Sequence, residues 1–396
     1  MRNKKIRALT ASLIINLCVG SIYAWSVFAG PLTETYGWSP ESTALTFTIA
    51  NAVGPVTMII AGKLQDKYGP RWIVFAGAFL FGGGMFASGY AQTVGMMYIT
   101  YGLLMGFGLG TIYSCIIANT VKLFPDKKGL IAGVLTSLYG LATVVAAPVA
   151  QALIESHDVS FAFKALGAAY FIIVALASQF LIKADVEVSA AGMIDESKEL
   201  NWNQMLRTPK FYVLLVMLLF GATSGLMIVG QASVIAQELV QVTAATAAVG
   251  VSIIAIANAG GRIVWGKVSD ILGRYRTLMV MFVLLTIGMA SLTMVGEGQW
   301  YLFLVLVMLA AFCFGGFMGI FPAVTAENFG IRNNGVNYGF MFIGFAVGGY
   351  IGPKLATALK ITDMGMYSMA FVIAAVMAAA GIVIAAVLNK KEKASF

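Results

Sequence analysis

The sequence predicts an all-α membrane protein of twelve transmembrane helices in two six-helix halves. Composition, uninterrupted apolar runs and a loop motif that occurs twice lead to this reading. Of 396 residues, 60% are hydrophobic and only 11% charged, against about 25% charged in a soluble domain, and the mean hydropathy is +0.88. That balance excludes a soluble enzyme. The charges gather in short clusters between apolar runs, so the net charge of +8 speaks for a membrane surface and not for nucleic acid. Cys18, Cys115 and Cys313 lie inside apolar runs and His157 is the single histidine, so neither a disulfide framework nor a metal site is expected, and no cofactor.

The elements follow in order. The run Ala8–Thr33 comes after a basic N-terminus (Arg2, Lys4, Lys5, Arg7) and could imitate a secretory signal, but it continues past Trp25 without a small-x-small cleavage site and is read as helix 1. Ser42–Gly62 is helix 2. One crossing takes roughly 20 residues, so Trp72–Val121 holds helices 3 and 4, hinged near Ser88–Gly95. Gly129–Ile154 and Ala165–Ile182 are helices 5 and 6. Phe211–Gln237, Leu239–Gly261, Thr277–Gly296, Gly298–Ala326, Asn333–Pro353 and Met364–Asn389 supply helices 7 to 12. Lipid admits only helices or closed barrels, and uniform runs of this length are not the alternating strands of a barrel.

With both termini on one side, alternate connections carry a large basic excess and the others an acidic one, which places the termini in the cytoplasm. The expected location is a bacterial inner membrane. The longest polar stretch, 183–210, is read as a cytoplasmic linker between an N-terminal half, 1–182, and a C-terminal half, 211–396.

The loop after helix 2 carries Gly62, Asp66, Lys67, Gly69 and Arg71, and the loop after helix 8 carries Gly266, Asp270, Gly273, Arg274 and Arg276. Gly, Asp and Gly recur 204 residues on. Two homologous halves are the economical account. The expected role is a conformational latch, in which the glycines allow tight turns and close helix approach while each Asp accepts hydrogen bonds at the start of helix 3 or 9.

Arg262 is the only ionisable residue placed inside a span, where a charge costs about 2.5–3.5 kcal/mol on insertion scales. In one reading it snorkels to the cytoplasmic edge, roughly 12 Å along the helix. In the other it is an anion receptor in a central cavity, with Asn258 one turn earlier on the same face, because a guanidinium matches a carboxylate and no span offers a permanent counter-charge. Aromatic candidates for the same site are Tyr23, Trp25, Tyr113, Tyr139, Phe314, Phe342 and Phe345, the three tyrosines foremost because their hydroxyls need partners. Each alone is equally well a packing residue.

These motifs resemble the major facilitator superfamily, whose loop signature G-x-x-x-D-[R/K]-x-G-x-[R/K] both copies approximate; the second has Ile271 at the basic position. Gly20-Ser-Ile-Tyr23-Ala-Trp25, Tyr113 to Gly129 and Asn258-x-Gly-Gly-Arg262-x-x-Trp265-Gly266 are similar to the oxalate/formate antiporter family, relatives of the monocarboxylate transporters. The resemblance implies that Arg262 binds a substrate carboxylate within an aromatic cage of Tyr23, Tyr113, Tyr139, Phe314 and Phe342. In the oxalate exchanger a lysine stands seven residues after the tyrosine matching Tyr338, and here that residue is Phe345. One positive charge suits a monoanion, since a second buried carboxylate would go unpaired. Lys354 is the alternative cation on helix 11, but it stands further along the helix and is expected near the outer surface. Proton-linked carriers of this kind have an Asp where Asn258 stands, and Asn258 cannot titrate.

The expected function is secondary active transport of small monocarboxylates (lactate, pyruvate, formate) by alternating access, as exchange or with a proton, by one chain acting as a monomer. An oxalate/formate-type dicarboxylate exchanger is the first alternative. A non-transporting carboxylate sensor and a hydrophobic-drug exporter rank lower, the exporter because no cavity carboxylate is in view. No nucleophile and base pair in the spans supports an enzyme.

Overall fold

A computed structural model describes residues 2–184, 199–359 and 367–394. The middle of the predicted linker and the first residues of the run read as helix 12 lie outside them. Among the described residues, twelve helices are long and apolar enough to cross a membrane: α1 (Asn3–Tyr36), α2 (Pro40–Tyr68), α3 (Pro70–Ser88), α4 (Val94–Leu123), α5 (Pro125–Ser156), α6 (Val159–Ser178), α7 (Pro209–Val229), α8 (Ala245–Leu272), α9 (Arg274–Leu292), α10 (Trp300–Phe329), α11 (Asn334–Ala358) and α12 (Ser368–Lys391). The described residues contain no strand. The expected all-helical, twelve-span architecture is therefore found.

Local chemistry sets the helix ends. The side chains of Ser39, Asp158, Thr208 and Thr243 each accept from a backbone N–H in the first turn of α2, α6, α7 and α8, and proline opens α2 and α7. Gly69 (φ 85°) and Gly273 (φ 88°) reverse the chain from α2 into α3 and from α8 into α9, conformations that only glycine adopts without strain. The two loop copies thus share one backbone geometry. Within the spans, α1 tightens to a 3-10 turn at Gly20–Ala24 and α4 widens to a π turn at Tyr98–Met105. Pro148, Pro322 and Pro353 interrupt the hydrogen-bond ladders of α5, α10 and α11.

The chain clusters into two units. The first holds residues 1–125, 138–202 and 325–340; the second holds 126–137, 203–324 and 341–396. In the first, α3 and α6 pack backbone to backbone, because a Cβ on Gly167 would stand 2.3 Å from the Phe86 nitrogen and one on Gly82 2.6 Å from the Phe171 nitrogen. In the second, the Phe282 ring fills the space over Gly381 and packs α9 on α12.

Candidate functional site

Arg262 lies where three backbones converge. A Cβ on Gly133 of α5 would stand 2.1 Å from the Arg262 carbonyl oxygen, one on Gly315 of α10 2.0 Å from that of Asn258, and one on Gly319 2.5 Å from that of Arg262. Small residues on both neighbours let α8 sink between them. The side chain is 7% exposed. Its Nε donates to Asn258 Oδ1 (3.1 Å) and its Nη1 to the Thr136 carbonyl of α5 (2.5 Å). Asn258 is itself fixed by donating from Nδ2 to the Ala311 carbonyl of α10 (3.1 Å), and Ser137 Oγ donates to the Ala259 carbonyl (3.0 Å). Among the described residues Arg262 forms no ion pair and Nη2 no hydrogen bond. Carbonyl dipoles solvate the cation without neutralising it, an arrangement that favours an incoming anion. Because a branched residue at Gly133 or Gly319 displaces α8, we expect Gly133→Val and Gly319→Val to reduce transport by at least an order of magnitude, measured as initial uptake rates at matched protein levels.

The aromatic candidates fall into separate groups. Tyr139 meets Tyr23 edge-on at 5.4 Å and Tyr113 at 4.8 Å. Tyr113 and Tyr139 are buried whereas Tyr23 is 38% exposed and lines a pocket of about 570 Å³ with Ser26, Gly30, Thr33, Glu34 and Thr43. Trp25 also borders that pocket, but its ring packs on Tyr101 (4.4 Å) and Phe163 (6.4 Å), and its Nε1 has no partner among the described residues. Phe345 stacks on Phe314 (6.4 Å) and contacts Phe342 (4.7 Å), while Phe314 is buried against Gly225 of α7.

The sequence model of the Major Facilitator Superfamily matches residues 10–298 and 224–395. The chain belongs to the major facilitator superfamily. It is 30% identical to the uncharacterized MFS-type transporter YhjX of Escherichia coli, over 86% of this chain and 84% of that one. It is 29% identical to the oxalate:formate antiporter of Oxalobacter formigenes, over 94% and 88% of the two chains. Its fold matches the crystal structure of the superfamily transporter FucP in the outward conformation, with a TM-score of 0.74 at 15% identity over 96% and 97% of the chains.

The superfamily's loop signature acts here through backbone capture. Asp66 pairs with Lys122 of α4 (2.5 Å) and accepts from the Gly335 and Val336 N–H groups (3.2 Å each) at the start of α11; Lys122 also donates to the Arg332 carbonyl (2.8 Å). Asp270 accepts from the Gly129 and Leu130 N–H groups (2.9 Å each) near the start of α5 and pairs with Arg274 Nη2 (2.8 Å), while Arg274 Nη1 donates to Ser269. Free N–H groups and positive dipole ends at helix starts favour carboxylates. The expectation of anchors at the starts of α3 and α9 is thus corrected: Arg274 is such an anchor, but the backbone partners belong to α11 and α5. Each Asp lies one turn past Gly62 or Gly266 and shares its face, and those glycines press on Gly335 and Gly129. Arg71 stands apart, exposed, with Nε and Nη2 on Gln179 Oε1 of the α6 end (2.9 and 2.6 Å).

Extending the two copies by one turn pairs Arg262 with Met58, 204 residues earlier. Gly339 of α11 lies against the Met58–Ile59 backbone as Gly133 of α5 lies against that of Arg262–Ile263. One seam therefore has a methionine where the other has an arginine, so packing alone does not call for the charge. Sequence reasoning missed Lys122, one residue past a charge-free run and buried, and the Thr136 carbonyl, which no side-chain pattern reports. It also missed Glu199, which accepts from the Ile331 and Arg332 N–H groups (2.9 and 3.0 Å).

Proposed function

We propose that the chain is a secondary active transporter of small monocarboxylates of the lactate, pyruvate and formate class, working as a monomer by alternating access in a bacterial inner membrane with both termini cytoplasmic. The observation that carries this reading is the buried Arg262, solvated by carbonyls but unneutralised among the described residues, at a position where the matching seam has Met58. In the proposal the Nη1 and Nη2 edge of Arg262 takes the carboxylate, Asn258 holds the guanidinium in plane, and Tyr23, Tyr113 and Tyr139 donate hydrogen bonds. Phe314, Phe342 and Phe345 shape the apolar remainder, and Trp25 holds the aromatic layer behind Tyr23.

Occupancy and gating meet on α5. Its first turns are tied to α8 by Asp270 on Gly129 and Leu130 and by Arg262 on Thr136. A carboxylate that draws a donor away from the Thr136 carbonyl loosens the Arg262 end of that seam. In the proposed cycle Gly62, Asp66, Gly69, Gly266, Asp270, Gly273 and Arg274 form the latches, and the stretch 183–210 links the halves. An empty site leaves the cation without a counter-charge, which raises the barrier to reorientation and favours exchange over net uptake; Asn258 provides no proton relay.

Phe345 supports the choice of a monoanion, because the ring leaves Arg262 as the single cation. The test is Phe345→Lys in proteoliposomes. Oxalate uptake is expected to rise and monocarboxylate uptake to fall, each on the order of tenfold, the lower end of measured couplings between close charges. Oxalate uptake by the unaltered protein that matches lactate or formate would contradict the monocarboxylate assignment.

A further inference from the structure

The signature segment, which runs from the end of α2 into the start of α3, carries two cations that its latch leaves unused. Lys67 and Arg71 are both exposed, while Asp66, next to Lys67, is turned inward onto Lys122. The second copy has Ile271 and Tyr275 at the corresponding positions, so it does not repeat this pair of cations. A third exposed cation completes it: Lys183, just past α6, donates to the Lys67 carbonyl (2.8 Å) and lays its methylenes over Gly69. Among the described residues none of the three forms an ion pair.

The surroundings give the patch an interfacial character. Tyr68 and Trp72 are each 65% exposed, with Lys67 5.0 Å from the Tyr68 ring and Arg71 5.3 Å from the Trp72 ring. Exposed amphipathic rings beside cations are the side chains found where acyl chains give way to headgroups. Below them, Phe75 and Phe79 of α3 face outward and meet Phe171 of α6 at 6.4 and 6.2 Å. The exposed Ile172 and Leu176 continue the apolar strip. Cations stand at one end of the α3–α6 pair and aromatic rings run down it.

We propose that this surface binds an anionic phospholipid, its phosphate held by Lys67, Arg71 and Lys183 and its acyl chains lying on Trp72, Phe75 and Phe79. A free phosphate has no use for the strip of rings, and a neutral lipid has none for three unpaired cations. The assignment is independent of what the protein transports.

The test is native mass spectrometry of the full chain after reconstitution in phosphatidylcholine containing about one fifth phosphatidylglycerol, counting phosphatidylglycerol retained per chain. The K67Q/R71Q/K183Q variant is expected to retain at least threefold less than the unaltered protein, and Lys354→Gln, which removes an exposed cation near Tyr350 on α11, to retain the same. Should the triple variant fail to fold, K67Q/K183Q keeps the Arg71–Gln179 tether and is expected to lose at least half. Equal retention by the variants, an equal loss in Lys354→Gln, or displacement of the lipid by inorganic phosphate would overturn the proposal.

Discussion

Replacing Arg262 by alanine or by lysine is expected to lower monocarboxylate uptake by at least about 100-fold, the order of effect seen when one partner of a buried charge pair is removed. Lysine fails for a geometric reason: an ammonium is a point donor and cannot bond Asn258 and Thr136 while presenting a planar edge to a carboxylate. The informative variant is Arg262→Met. Met58 occupies the matching place in the α2–α11 seam, so methionine fits that packing, and the substitution removes the desolvation cost of an unneutralised buried charge, which offsets the loss of its bonds to Asn258 and Thr136. Arg262→Met is expected to insert normally, to unfold within a few degrees of the unaltered protein or above it, and to transport nothing. Normal transport by this variant would remove Arg262 from the site; a folding failure would make it a structural residue.

The second large effect is expected at the two signature aspartates. Asp66→Ala leaves Lys122 buried without its carboxylate and strips the acceptor from the Gly335 and Val336 N–H groups, a loss of about 3–5 kcal/mol by analogy with other broken buried pairs. Asp270→Ala strips the acceptor from the Gly129 and Leu130 N–H groups and breaks the pair with Arg274. Asparagine keeps one acceptor oxygen and should fall between alanine and the unaltered protein. Spin-label distances between the ends of α2 and α11 are expected to broaden in Asp66→Ala only, and those between α5 and α8 in Asp270→Ala only, with transport falling at least tenfold in each. Sharp, unchanged distances together with normal rates would show that neither carboxylate holds its seam.

Much of the fold was legible because lipid imposes a simple code. Apolar runs of sufficient length have to be helices, and twelve of them, with a hinge near Ser88–Gly95, agree with the spans found; α3 ends at Ser88 and α4 begins at Val94. The repeat was legible because Gly69 and Gly273 require one unusual backbone conformation. Arg262 stood out by its charge. What escaped was the identity of distant partners. Nothing at Asp66 in the sequence points to backbone groups at 335 and 336, and Lys122 reads as a loop charge until its burial is seen. The aromatic set was only partly sortable for a related reason. The 3-10 turn at Gly20–Ala24 advances each residue by about 20° more than an α-helix, so the face carrying Trp25 is not the one a regular helix would give, and its ring joins Tyr101 and Phe163.

The most direct measurement of the central claim is uptake of radiolabelled L-lactate, pyruvate and formate into proteoliposomes of the purified protein, empty or preloaded with unlabelled monocarboxylate. The account predicts saturable uptake that depends on the protein, is accelerated by trapped monocarboxylate and is absent in Arg262→Met. Binding of these acids without flux, or flux of none of them under any loading, would contradict it.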